Sequence, residues 1–224
     1  MGVLEFLLRA ERGAAVPAAA HSPPKANGFG AVVAPGRGYH MGMPLMVATA
    51  QRLADAGFFT LRFDWAYQRA GGDPSPDLDA ELEDLRAAIA HLKQETDGLF
   101  LAGKSLGSFI VARHLCETRD DGVRGAALLT FPLHAPGDPF DMRVGDIHLE
   151  LGCPVVVVGG AADTLCRPGA LFDYVGRFEP VPSVVLLPGD HSLKSDDPQI
   201  TEASIDLASR TVATWARQSV LGGA

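Results

Sequence analysis

The sequence predicts an α/β fold in which helices cover both faces of a mostly parallel, doubly wound sheet. Three observations lead to this prediction. Short segments of strand length alternate with segments of helical periodicity from residue 29 onwards. The strand segments are apolar, as is typical of parallel strands that are buried on both faces. No internal repeat and no linker divides the 224 residues, so we expect a single domain over residues 1–224.

In chain order, the predicted elements begin with an N-terminal strand and loop over residues 1–28. Residues 3–8 are predicted to form the strand. Residues 10–28 are rich in Ala, Pro and Gly and are predicted to form a surface loop or a weak hairpin. From there on, the predicted strands are 29–34, 58–63, 99–102, 126–131, 154–158 and 184–187, and the predicted helices are 44–56, 76–96, 106–115, 169–178 and 200–220.

Two of the helices have clear sequence signals. Gly57 ends the helix over 44–56, since glycine is the preferred residue just beyond a helix C-terminus. The acidic residues between Asp77 and Asp84 favour the N-terminus of the next helix rather than a cation site. That helix carries a stripe of apolar residues at helical spacing: Leu78, Leu82, Leu85, Ile89 and Leu92.

Ser105 stands in a tight turn between a predicted strand and a predicted helix. The segment Gly103-Lys104-Ser105-Leu106-Gly107 has the spacing Gly-x-Ser-x-Gly. Such a turn strains its middle residue and leaves no room for side chains two positions away on either side. The serine hydroxyl is then held clear of the backbone, and the amide of Leu106 points out from the helix N-terminus. This context favours a nucleophile over a polar residue in a glycine-rich turn.

Four loops leave the predicted strands at their carboxyl ends, where open α/β sheets bind their ligands. The first loop contains Arg37, and the second contains Ser105. The third contains Asp163, and the last contains His191. A serine, an acid and a histidine in this chain order, each just past a strand, form the pattern expected of a hydrolytic Ser-His-Asp triad.

The chain resembles the α/β-hydrolases of the dienelactone-hydrolase-like group, and within it a small family that includes testis-expressed and chromatin-complex hydrolase-like proteins. The resemblance runs from about residue 29 to residue 195, in the segments APGRG, LRFDW, AGKSLGS, FPLHAPGDP, CPVVVVGGAAD and PGDHSLK. Many relatives have His-Gly where this chain has Pro35-Gly36, and dienelactone hydrolases proper use cysteine where this chain has Ser105. The resemblance implies the α/β-hydrolase fold and hydrolysis, but no particular substrate.

His191 is the predicted general base, because a serine hydroxyl is a poor nucleophile at neutral pH without an adjacent base. His134 follows a strand end and is the alternative that could line the pocket. The other histidines are less suitably placed: His91 and His114 in predicted helices, His21 in the N-terminal segment, and His40 and His148 in loops.

Asp163 is the predicted acid that orients His191 and stabilises its charged form. Asp190 is next to His191 in the chain, but neighbouring side chains diverge, so Asp163 is preferred. Asp64 is another acid near the strand ends, with a structural hydrogen-bond acceptor as the alternative role.

The backbone amides of Leu106 and Arg37 are predicted to form the oxyanion hole. The Arg37 side chain either meets an anionic group or is a solvated surface arginine. Only about two dozen residues separate the strands near Phe131 and Val155, so we expect no cap domain and an open, shallow site that suits short acyl groups. Its predicted walls are Arg37, Tyr39, His40, Met41, Trp65, Tyr67, His134 and Leu165.

Composition excludes several classes of partner. The net charge of -8 argues against nucleic acid or an anionic membrane surface, and no apolar stretch has membrane-spanning length. The start of the chain has no basic region before its short apolar run, and the three cysteines show no paired spacing, so a cytoplasmic location is expected. Gly103-Lys104-Ser105 lacks the remainder of a phosphate-binding loop, and no cluster has metal-ligand spacing, so neither a cofactor nor a metal is expected.

Two functions of different class follow. The first is a carboxylesterase-like serine hydrolase that cleaves a small ester, thioester or amide through the triad and an acyl-enzyme. The alternative is a non-catalytic protein-interaction module that retains the hydrolase fold. The oligomeric state does not follow from these patterns.

Overall fold

Strands and helices alternate along most of the chain in a computed structural model that describes residues 2–118, 122–135, 138–142 and 149–221. The strands are β1 (Val3–Arg9), β2 (Ala15–His21), β3 (Gly30–Ala34), β4 (Phe59–Phe63), β5 (Leu99–Lys104), β6 (Val123–Leu129), β7 (His134–Ala135), β8 (Asp138–Met142), β9 (Leu149–Glu150), β10 (Val155–Gly160), β11 (Phe178–Glu179) and β12 (Ser183–Leu187). The helices are α1 (Pro44–Asp55), α2 (Ala66–Ala70), α3 (Asp79–Lys93), α4 (Leu106–Thr118), α5 (Pro168–Val175) and α6 (Pro198–Leu221).

Eight of the strands form one sheet in the order β1-β2-β4-β3-β5-β6-β10-β12. β2 is antiparallel to both of its neighbours, and every other adjacent pair in this sheet is parallel. Two small sheets, β7 with β8 and β9 with β11, lie outside it. The predicted fold class, a mostly parallel sheet with helices on both faces, is confirmed. None of the described helices combines the length and apolar character that a bilayer crossing requires.

Each face of the sheet has its own apolar core, because alternate residues of a strand point to opposite faces. On one face, Val32 and Leu101 pack with α3, α4 and α5. On the other face, Val33 and Phe100 pack with α1 and α6. The parallel strands are therefore apolar at successive positions, and this pattern is what made them recognisable in the sequence.

The segment over residues 10–28 contains a full strand, so the hairpin alternative is correct and the surface-loop alternative is wrong. β2 pairs with β1 along its whole length and with β4 from Ala18 to His21, so it lies inside the sheet. Its alanines and Pro17 lack the large β-branched side chains that identify strands in a sequence. Small residues suffice there, since Ala18 and Ala19 are fully covered by their surroundings.

The other predicted elements agree with the structure to within three residues at either end. The helix predicted over 76–96 begins only at Asp79, because Leu78 adopts a left-handed conformation (φ 61°) just before it. α2 was not predicted, since five residues are too few to show a helical period.

Gly160 lies at the end of β10, directly beneath the loop that carries His191. A Cβ atom at Gly160 would overlap with the carbonyl oxygen of Asp190 and lie 2.5 Å from that of Gly189. A Cβ atom at the preceding residue, Gly159, would make only an ordinary contact with the Leu186 side chain at 3.5 Å. The two glycines are neighbours in the chain, but only Gly160 lies so close to another backbone segment that a side chain would not fit.

We expect Gly160→Ala to destabilise the protein far more than Gly159→Ala. The first substitution forces two backbone segments apart, which typically costs about 1–3 kcal/mol or more, whereas the second fills ordinary space. Urea unfolding of both variants measures the difference in the free energy of unfolding. Equal stability of the two variants would contradict the close approach of the His191 loop to β10.

Candidate active site

Ser105 occupies a strained turn between β5 and α4. Its φ of 52° is left-handed, a conformation that costs a residue with a side chain roughly 1–3 kcal/mol. Its carbonyl oxygen accepts hydrogen bonds from the amides of Ser108 and Phe109, which start α4. A Cβ atom at Gly103 would lie 2.6 Å from the Ser108 nitrogen, and one at Gly107 would lie 2.6 Å from the Pro35 carbonyl oxygen. The strain and the two glycines together match the turn that the sequence predicts.

Ser105, His191 and Asp163 come together in one hydrogen-bonded chain. The Nε2 atom of His191 is 2.8 Å from the Ser105 hydroxyl oxygen, and its Nδ1 atom is 2.8 Å from Oδ2 of Asp163. The other carboxylate oxygen of Asp163, which is buried, accepts a hydrogen bond from the Leu165 amide at 2.8 Å. With Nδ1–H donated to the carboxylate, Nε2 is free to accept the hydroxyl proton.

The acid that contacts His191 is Asp163, and Asp190 is engaged elsewhere. The Oδ1 atom of Asp190 accepts hydrogen bonds from the amides of Ser192 at 2.7 Å and Lys194 at 2.9 Å. The Asp190 amide in turn donates to the Lys194 carbonyl oxygen. Asp190 therefore stabilises the conformation of the loop that carries His191.

Arg37 and Leu106, the predicted donors of the oxyanion hole, line one cavity together with Ser105. Leu106 is the first residue of α4. The loop that carries Arg37 is fixed by hydrogen bonds from α2 and from Trp65, the residue just before α2. The Trp65 indole donates a hydrogen bond to the Pro35 carbonyl oxygen at 3.0 Å. The side-chain amide of Gln68 donates to the Gly36 carbonyl oxygen at 3.4 Å.

The Arg37 guanidinium forms an ion pair with Asp73 at 2.7 Å, at the mouth of the cavity. Both side chains are largely exposed, at 67% and 82%, so the pair contributes at most about 1 kcal/mol to stability. The sequence left two alternatives for Arg37, an anionic partner and a solvated side chain. In the structure the side chain is both paired with Asp73 and largely exposed to solvent.

A cavity of about 650 Å³ opens over Ser105, a volume that is usual for small-molecule sites. Three of the predicted wall residues line it: Arg37, Tyr39 and Leu165. The remaining lining residues are Gly38, Asp73, Pro74, Ser75, Leu78, Lys104, Ser105, Leu106, Phe109, Pro132, His191 and Ser192. The segment from Asp73 to Leu78 was not among the predicted walls, because only the tertiary fold brings it to the strand ends.

Five predicted wall residues do not line this cavity: His40, Met41, Trp65, Tyr67 and His134. Trp65 is fully buried, where its ring meets that of Phe63 edge-on at 4.9 Å between centroids and supports the Arg37 loop from beneath. Met41 donates its amide to the Asp64 carboxylate at 2.5 Å, which gives Asp64 the structural role that was its alternative. His40 is exposed, and Tyr67 is partly buried beside the loop.

His134 is a structural residue rather than an alternative base. It is buried, its Nδ1 atom is 2.9 Å from the carbonyl oxygen of Ala135, and its Nε2 atom accepts a hydrogen bond from the Arg167 amide at 3.1 Å. Both ring nitrogens are thus occupied by backbone groups. His148, another histidine considered from the sequence, lies outside the described residues.

Lys104, the residue before Ser105, is a buried cation that the sequence analysis did not assign to the site. It is only 4% exposed, and its ammonium group lies 4.8 Å from the centroid of the Tyr39 ring. Burial lowers the pKa of Lys104 to about 8, and the nearby carboxylates of Asp163 and Asp190 offset part of that effect. Its position inside the Gly-x-Ser-x-Gly segment was the only available signal, since burial is not visible in a sequence.

Comparison with known proteins adds to this description. Residues 29–217 match the family described as "Alpha/beta hydrolase domain". The chain belongs to this family. No group of three or more metal-binding side chains is found within the described ranges of this α/β hydrolase.

Solved structures resemble this α/β hydrolase over nearly its full length. An α/β serine hydrolase without a lid from Xanthomonas campestris is 19% identical, with a TM-score of 0.75 over 97% of this chain and 95% of that one. Est1E from Butyrivibrio proteoclasticus is 18% identical, with a TM-score of 0.75 over 97% and 99% of the two chains. The esterase Pf2001 from Pyrococcus furiosus is 17% identical, with a TM-score of 0.75 over 96% and 92%. At these identities the likeness concerns the fold.

The absence of a cap domain, predicted from the short connection, holds for the described part of the chain. Between β6 and β10, the residues that the structure describes form only the short strands β7, β8 and β9. The lidless hydrolase from Xanthomonas campestris has the same fold.

We expect Lys104→Met to make the protein more stable at neutral pH and to lose that advantage in alkali. Folding lowers the pKa of Lys104 from 10.5 to about 8, so the folded state disfavours the charged form. Below pH 8 the full penalty applies, at most about 3 kcal/mol. Between pH 8 and 10.5 the unfolded chain binds the proton more readily than the folded chain, so this penalty disappears as pH rises.

Unfolding free energies of the wild type and the variant, measured between pH 7 and 10.5, check this expectation. Lys194→Met is the matched control, because Lys194 is an exposed lysine of the His191 loop and its replacement removes no buried charge. A constant difference between wild type and Lys104→Met across this range would show that Lys104 is not a buried cation.

Proposed function

We propose that this α/β hydrolase is a serine hydrolase that cleaves a small ester, thioester or amide through Ser105, His191 and Asp163. The observation that carries the proposal is the continuous chain of hydrogen bonds, 2.8 Å at each step, from the Asp163 carboxylate through the His191 imidazole to the Ser105 hydroxyl. The nucleophile stands at a cavity, and the base is oriented by a buried acid. These are the geometric requirements for nucleophilic catalysis by serine.

The proposed reaction has two halves. Ser105 Oγ attacks the carbonyl carbon while His191 Nε2 takes its proton, and the amides of Leu106 and Arg37 stabilise the resulting oxyanion. The intermediate collapses, the leaving alcohol, thiol or amine takes the proton from His191, and an acyl-enzyme remains. Water then attacks the acyl carbonyl carbon while His191 takes its proton, and His191 returns that proton to Ser105 Oγ as the carboxylic acid leaves.

The substrate class is argued from the cavity. Its walls near Ser105 are apolar at Leu106, Phe109 and Leu165, so an acyl group rather than a sugar or nucleotide fits there. Without a cap domain over the described residues, the site offers no long tunnel, which favours short or compact acyl groups. Two proteins of similar fold are named as esterases, and one solved structure of Est1E holds ferulic acid. We therefore place a carboxylesterase-like reaction first.

The same proposal includes a narrower relationship and a location. The segments AGKSLGS and PGDHSLK support a place in the dienelactone-hydrolase-like group, near the testis-expressed and chromatin-complex hydrolase-like proteins. Three cysteines without a disulfide support a cytoplasmic location. The proposal also holds that the chain acts as one domain on a small molecule and needs no cofactor.

We expect a fluorophosphonate probe to label the wild-type protein on Ser105 and to leave Ser105→Ala unlabelled. The probe reacts only with a serine that an adjacent base activates. Ser108→Ala is the matched control, since Ser108 is a buried serine in the same helix end whose hydroxyl donates to the Ser105 carbonyl oxygen. Labelling of Ser105→Ala would move the nucleophile elsewhere, and no labelling of the wild type would favour the non-catalytic interaction module.

We expect Asp163→Asn and Asp190→Asn to separate the catalytic acid from its neighbour. An asparagine at position 163 that keeps its oxygen on the Leu165 amide presents its NH2 group to Nδ1 of His191. This favours the wrong imidazole tautomer and supplies no charge to stabilise the imidazolium, so turnover of a generic ester should fall by roughly 10³ to 10⁴. An asparagine at position 190 still offers Oδ1 to the amides of Ser192 and Lys194, so turnover should stay within about tenfold. Greater loss in Asp190→Asn than in Asp163→Asn would show that the acid is misassigned.

A further inference from the structure

The strand β1 forms one edge of the sheet and has a neighbour on one side only among the described strands. It is seven residues long and contains no proline. The strand at the opposite edge, β12, has five residues and is flanked by Pro182 and Pro188, which cannot donate backbone hydrogen bonds. The β12 edge is therefore protected against pairing, and the β1 edge is not.

The free backbone groups of β1 can be assigned from its hairpin with β2. The Ala10 amide donates to the Ala14 carbonyl oxygen at 3.0 Å, so this pair is hydrogen-bonded. In an antiparallel ladder, hydrogen-bonded pairs recur at every second residue. The amides and carbonyls of Leu8, Phe6 and Leu4 then face β2 in the same way. Those of the residues between them point away from β2, to the open edge: Val3, Glu5, Leu7 and Arg9.

The side chains of this edge are unusually apolar for an exposed strand. Val3, Leu4 and Leu7 are 47%, 68% and 51% exposed. Exposed edges usually carry lysines or a bulge to prevent pairing, and β1 has neither over its regular register with β2. Its two charged residues, Glu5 and Arg9, are of opposite sign. A seven-residue apolar edge with free backbone donors and acceptors matches another strand as its partner.

We propose that β1 pairs antiparallel with the β1 of a second copy of this chain, with Leu7 at the two-fold axis. This pairing makes the two sheets one continuous sheet. In this register, Glu5 lies directly opposite Arg9 of the partner subunit, and Arg9 lies opposite Glu5 of the partner subunit. Opposite charges at facing positions stabilise a strand pair, and the two-fold symmetry uses each contact twice.

The charges favour this register over the other symmetric ones. An axis at Phe6 or at Leu8 also pairs the free backbone groups, but it places Leu7 opposite Glu5 of the partner subunit or opposite Arg9 of the partner subunit, so no opposite charges meet. Moving the axis to position 5 would place Glu5 opposite Glu5 of the partner subunit, and moving it to position 9 would place Arg9 opposite Arg9 of the partner subunit. Like charges directly opposite are destabilising. The register centred on Leu7 is the one that pairs the free backbone groups and both charges together.

The surroundings leave room for this partner. A groove of about 370 Å³ runs between β1 and α3. It is lined by apolar residues such as Phe6, Leu8 and Ala90 and by polar ones such as Arg9 and Arg86. In the proposed register Phe6 faces Leu8 of the partner subunit on that side, which extends the apolar contact over the groove. The cavity at Ser105 lies at the carboxyl ends of the central strands, so pairing along β1 leaves it open.

Sedimentation equilibrium or light scattering across micromolar concentrations tests the proposal. The wild type is expected at twice the 23.6 kDa mass of one chain. Leu7→Lys, which places two ammonium groups on the axis, should give the single-chain mass. Leu207→Lys is the matched control, because Leu207 is 50% exposed on α6, and it should remain dimeric. A wild type of single-chain mass, or a dimer that survives Leu7→Lys, would overturn the proposal.

Charge exchange tests the register. Arg9→Glu places Glu5 opposite a second glutamate twice in the dimer and should weaken dimerisation at least about tenfold. Glu5→Arg should do the same, and the double variant, Glu5→Arg with Arg9→Glu, should restore wild-type dimerisation. Circular dichroism of each variant confirms that the fold is retained. Failure of the double variant to recover would exclude the register centred on Leu7.

Discussion

The turn at Ser105 is the constraint on which the rest of the site depends. It exists because backbone segments approach one another where no side chain fits: at Gly103 against the start of α4, and at Gly107 against the Ala34 and Pro35 carbonyls. Gly160 makes the equivalent approach to the loop of His191. These contacts between backbones set the distances between Ser105, the Arg37 loop and His191 more rigidly than flexible side chains could.

The fold and the hydrogen-bonded triad could be predicted from the sequence because each has a local signal. The strands are short apolar runs. Ser105 directly follows β5, and Asp163 and His191 lie in the loops just after β10 and β12. The cavity walls have no such signal. Trp65 follows β4 and looks well placed for a wall, but its ring turns into the core, and the segment after Asp73 reaches the site only through the tertiary fold. Proximity in a folded chain is decided by side-chain direction, which a sequence does not record.

Two residues of opposite charge, Asp163 and Lys104, are buried near Ser105, and their charges are compensated to different degrees. Asp163 is satisfied by the Leu165 amide and the His191 imidazole, so its charge has donors on both oxygens. Lys104 has the face of the Tyr39 ring and only more distant carboxylates. Keeping such a cation next to Ser105 lowers the stability of the protein locally, which proteins tolerate mainly where function requires it.

Trp65 links the interior to the loop that carries Arg37, since its indole donates to the Pro35 carbonyl oxygen from a fully buried position. The chain has two tryptophans, and the other, Trp215, packs against the core on the opposite face of the sheet. Indole emission depends on hydrogen bonding and solvent access. Trp65 is therefore a built-in optical reporter of this loop, and replacing Trp215 with phenylalanine would isolate its signal without touching the face of the sheet that supports it.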